Sequence, residues 1–168
     1  MTKLYLSLHV LAAVLAIGPV TVAASMFPAA LRRAAGASAA DAPGDRDALA
    51  NLRLLHRVCR VYAAVGTAVP VLGFATASSL GVLGSGWLIV SIVLTTAAAA
   101  VLALLILPGQ DAALTALQEQ EPREGPDSGL RPGARSAARL AMLTGVFNLL
   151  WATVTVLMII RPGSTTGA

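Results

Sequence analysis

The stretch Leu4–Phe27, LYLSLHVLAAVLAIGPVTVAASMF, constrains this chain more than any other. It contains no Asp, Glu, Lys or Arg, a single histidine and one Gly-Pro step. As a helix, about 24 residues reach roughly 36 Å, enough to cross a hydrocarbon core of about 30 Å with some tilt. Three runs of the same character follow: Val61–Leu80, Trp87–Leu107 and Leu140–Ile160. The pattern predicts an all-α polytopic membrane protein: one domain over 1–168, folded as an antiparallel four-helix transmembrane bundle. A cleaved signal peptide is the alternative for the first run, since Lys3, the apolar region and Val22-Ala23-Ala24 loosely fit it. Against it, His9 interrupts the apolar region, and cleavage would leave the next, basic loop outside the cell.

Composition supports lipid as the solvent. Of 168 residues, 57% are hydrophobic and only 12% charged, more apolar surface than a water-soluble core could hide. A net charge of +4 would suggest nucleic acid in a soluble chain. Here the cations flank apolar spans, so anionic lipid headgroups are the expected partner and nucleic acid is not. One cysteine, Cys59, excludes an internal disulfide and argues against a structural zinc site.

The charges also predict orientation. Ten of the 12 Lys and Arg residues, and all 8 acids, fall in 28–60 and 108–139. The positive-inside rule places both segments as cytoplasmic loops of a plasma-membrane protein, with both termini outside. Gly81–Gly86 then forms a tight outer turn, with Trp87 as an interfacial anchor. Residues 34–50 and 121–132 read as mobile loop and linker. Pro108-Gly109 reads as a break in the third helix, before a short amphipathic helix from Gln110 to Glu121. On the extension of the second helix, Arg53, Arg57 and Arg60 recur at steps of four and three. With His56 beside them they form a stripe suited to lipid headgroups.

In lipid, helices associate through small residues and a few polar contacts. Candidate seams at steps of three and four are His9, Ala13, Ala16, Val20, Ala23 in the first span and Cys59, Ala63, Gly66, Pro70, Gly73, Ala77 in the second. The third offers Ser91, Thr95 and Ala98, the fourth Ala138, Ala141, Gly145, Asn148, Ala152 and Thr155. Pro19 and Pro70 should kink two spans. Counting inward from the outer end puts His9 roughly 7 Å below the boundary, level with Thr76, Ser91 and Thr155. That ring of hydroxyls is its expected set of partners, the alternative being a haem or metal ligand or a proton acceptor. Asn148 falls near the midplane with Thr67, Thr95 and Thr96, where a buried amide would fix register. His56 lies near the opposite water layer, about 25 Å from His9, so one iron or metal ion cannot take both.

The segment LSLHVLAAVLAIG, in which Gly18 follows His9, resembles a domain of unknown function: a family of small bacterial integral membrane proteins with four spans. RLAMLTGVFNLLWATVTVLMIIRPG and WLIVSIVLT are similar to its high-GC bacterial members. The resemblance implies the fold and a bacterial plasma membrane. More remotely, a histidine in the first span is shared with copper-resistance-D-type membrane proteins and haem-linked protoporphyrinogen oxidases. That likeness implies His9 as a cofactor ligand.

No paired acids, phosphate loop, nucleophile–base pair or metal-spaced cluster stands in the sequence, which leans away from an enzyme. The leading reading is a non-enzymatic bundle, a structural or accessory membrane component that packs against itself or a larger complex. The alternatives are a haem-binding redox protein with His9 as axial ligand, and a carrier or channel for a small solute lined by the His9 and Asn148 layers.

Overall fold

The computed structural model describes residues 2–36, 44–119 and 132–163, and every regular element among them is helical. Helix α1 spans Thr2–Gly36 and runs through Pro19 and Pro28 without a break. Helices α2 (Gly44–Gly66) and α3 (Ala68–Leu80) are one run interrupted at Thr67. The interruption follows from Pro70, whose missing N–H leaves the Gly66 carbonyl without a helical donor. Thr67 settles the local pairing: its N–H and hydroxyl both donate to the Ala64 carbonyl, at 3.2 and 2.7 Å. Gly81 closes α3 in the left-handed region (φ 68°), which a residue without Cβ adopts freely.

Helix α4 (Gly86–Ala100) passes through a six-residue π-type segment, Val101–Ile106, into α5 (Leu107–Glu119). The expected break at Pro108-Gly109 is therefore absent. The wider π turns shift the preceding carbonyls, which relieves the clash a proline ring makes with the carbonyl one turn back. The last helix, α6, covers Pro132–Ile160. The predicted loops 28–60 and 108–139 are thus largely helix within the described residues, which in those segments are 28–36, 44–60, 108–119 and 132–139. The linker expected over 121–132 lies almost wholly outside the described residues, as does the middle of the 34–50 loop.

Four helices are long and apolar enough to cross a membrane: Thr2–Ala35, Asp47–Leu80, Gly86–Glu119 and Gly133–Ile160. They overlap the four sequence-predicted spans and extend beyond them. Helix α1 is the hub, packed on α2, α3 and α6, while α4 packs chiefly on α6. Along α1 the partners in α2 and α3 run backwards: His9 meets Val69 and Gly73, Ala16 meets Gly66, and Ala23 shares a groove with Leu55 and Val58. Against α6, Ala24 meets Thr144 and Ala35 meets Gly133.

The main core gathers at one end of the helices, around Phe27, Leu31, Leu52, Cys59, Ile106 and Phe147. A smaller cluster of Ala77, Trp87 and Leu88 sits at the other end, with Val82 and Met158 against it. Trp87 is accordingly a buried residue rather than a free interfacial anchor, with the Arg161 guanidinium 5.8 Å from its ring centroid.

The α6 seam differs from the expected one by a single residue. Ala137, Leu140, Thr144, Phe147 and Val154 are buried, whereas Ala138, Ala141, Gly145, Ala152 and Thr155 are exposed. Phe147 and Trp151 meet edge to face, centroids 6.3 Å apart, and this bulk fills the interface that small residues were expected to form.

Candidate functional site

Two histidine sites, held by different helices, carry most of the polar chemistry. The first is His9 on α1. Its Nδ1 lies 2.9 Å from the Val69 carbonyl oxygen, on the turn of α3 that Pro70 loosens. A carbonyl only accepts, so Nδ1 is the donor, and in the neutral ring Nε2 is the nitrogen with the lone pair. The ring sits close against Gly73: a Cβ built there would stand 2.8 Å from His9 Cε1 and 3.2 Å from Nδ1. Only glycine allows the imidazole to come this close to α3.

The expected ring of hydroxyls does not serve His9. Thr76 donates to Leu72 O at 2.8 Å, Ser91 to Trp87 O at 2.8 Å and Thr155 to Trp151 O at 2.9 Å. Each hydroxyl is satisfied by the carbonyl one turn back on its own helix, a local bond that needs no partner across the interface. Thr67 behaves likewise, and Thr96 donates to Ile92 O at 2.9 Å.

The second site joins α2 to α5. His56, Cys59 and Gln110 are 8%, 0% and 1% exposed. Gln110 Nε2 donates to Cys59 Sγ at 3.7 Å, and its Oε1 lies 3.1 Å from His56 Nδ1. With the amide in that orientation, His56 Nδ1 is the donor and Nε2 faces Asp111 Oδ1 at 3.9 Å. The Asp111 side chain is largely in solvent. His56 therefore turns inward, away from the arginine stripe the sequence placed it in. Arg53, Arg57 and Arg60 do stay together on the exposed side of α2.

The sequence pattern does not single out Gln110. A signal was present: Ile106, Gln110, Ala113, Leu114 and Leu117 recur at helical spacing, so an uninterrupted helix would put the glutamine on a buried face.

Asn148 reaches α1, its Nδ2 donating to Ser25 Oγ at 3.3 Å, one turn from Thr144, which donates to the Ala24 carbonyl at 3.4 Å. Thr67 and Thr96 donate within their own helices rather than to Asn148. Its Oδ1 and the Trp151 Nε1 are buried without a hydrogen-bond partner.

No nucleophile–base–orienter arrangement emerges from these groups. The Cys59 thiol accepts from an amide inside the core, and neither imidazole reaches a hydroxyl. Among the described residues no three His, Cys, Asp or Glu side chains gather closely enough to hold a metal ion. Comparison with family models, with curated proteins and with solved structures finds no match to this chain.

Proposed function

We propose that this chain is a multi-pass plasma-membrane protein, an antiparallel four-helix transmembrane bundle acting as a non-enzymatic structural or accessory component. One observation carries the reading: the helices leave their apolar side chains uncovered. Only 11–28% of the most apolar window of each long helix is buried. Val71, Leu104, Leu149 and Ile159 are 68–74% exposed. Such a surface in water would cost several kcal/mol for each helix at about 25 cal/mol per Å², and in hydrocarbon it costs nothing. The reversed order of contacts along α1 supports the antiparallel arrangement, and the resemblance in the first span agrees with it.

The 34-residue helices reach about 51 Å, well beyond a core of about 30 Å. The excess belongs at the arginine-bearing end, with 28–60 and 108–139 on the cytoplasmic side. Anionic lipid headgroups meet Arg53, Arg57 and Arg60 there, and a second copy or a larger complex covers part of the exposed apolar face.

Membrane extraction and cysteine labelling test this. The protein should stay in the pellet after alkaline carbonate washing. Cys59 is fully buried and should not react with maleimide in native membranes, so single added cysteines report cleanly. Gly84→Cys, in the exposed turn before α4, should label in intact cells, and Gln118→Cys only after permeabilisation. Recovery in the soluble fraction, or the reverse labelling, would overturn the reading. Purification in mild detergent should also yield an oligomer or a stoichiometric partner, and a lone monomer would count against the accessory role.

A second reading has one observation in its favour. Anchoring Nδ1–H on a backbone carbonyl and leaving Nε2 bare is how proteins orient a metal-ligating histidine, and His9 has that arrangement. His9 would then hold a haem or metal at the outer end of the bundle. The absorption spectrum and the metal content of the purified protein decide it: a Soret band, or a bound metal ion, lost in His9→Ala supports the reading, and the absence of both, or their survival of the substitution, removes it.

A further inference from the structure

We draw no further inference here: the strongest candidate, the open apolar groove between α1 and α2 lined by Gly18, Val22, Leu54 and Val58, is an unpartnered face, and nothing in the structure shows what covers it.

Discussion

Gly73→Leu should lower the unfolding free energy of the detergent-solubilised protein by about 3 kcal/mol, through overpacking and the loss of one hydrogen bond. The His9 ring lies where the new side chain must go. Its Cε1 would be 2.8 Å, and its Nε2 3.6 Å, from the first added carbon alone. The ring is also tethered, because Nδ1 bonds the Val69 carbonyl at 2.9 Å and cannot rotate without breaking that bond. Gly73→Ala should show the same conflict in milder form, about 1 kcal/mol. Removing the obstacle should relieve it, so that His9→Ala/Gly73→Ala is more stable than the two single losses predict, by about 1 kcal/mol. Thermal unfolding in mild detergent compares the wild type with Gly73→Leu, Gly73→Ala, His9→Ala and the double variant. A Gly73→Leu variant that melts with the wild type would mean that α1 and α3 do not meet in this way.

The first span was legible because its seam and its chemistry coincide. Ala16, Val20 and Ala23 are buried and His9 and Ala13 half-buried, as the three-and-four spacing of small residues requires. The same reasoning misplaced α6 by one residue. Two sets there share the period, Ala137–Leu140–Thr144–Phe147 and Ala138–Ala141–Gly145–Asn148, and periodicity cannot choose between them. Small residues suggest the contact, but Leu140 and Phe147 have the volume this interface needs, and Ala141 and Gly145 face outward. Depth was equally insufficient for the hydroxyls. Counting 1.5 Å per residue gives the level of Thr76, Ser91 and Thr155 but not their direction, and each had a nearer acceptor on its own helix. Pro108 hid the continuity of the third long helix, and with it the burial of Gln110.

The core at the arginine end explains why Gln110 matters. The largest buried side chains, Phe27, Phe147, Leu31, Leu52 and Ile106, gather in this one core, where apolar burial and close packing hold the helices together. Gln110 is as deeply buried as they are and satisfies two neighbours at once, His56 at 3.1 Å and Cys59 at 3.7 Å. Gln110→Leu should therefore cost about 1–3 kcal/mol although its volume changes little, because a buried imidazole N–H loses its acceptor. His56→Leu/Gln110→Leu should recover most of that loss, since two apolar partners leave nothing unpaired. Gln110→Glu keeps an acceptor for His56 but removes the donor to Cys59, and should fall between the wild type and Gln110→Leu. Unfolding midpoints of these variants measure the coupling between α2 and α5. If the double variant is no more stable than Gln110→Leu, the hydrogen bond is not what holds these two helices in register, and His56 is kept in the core for another reason.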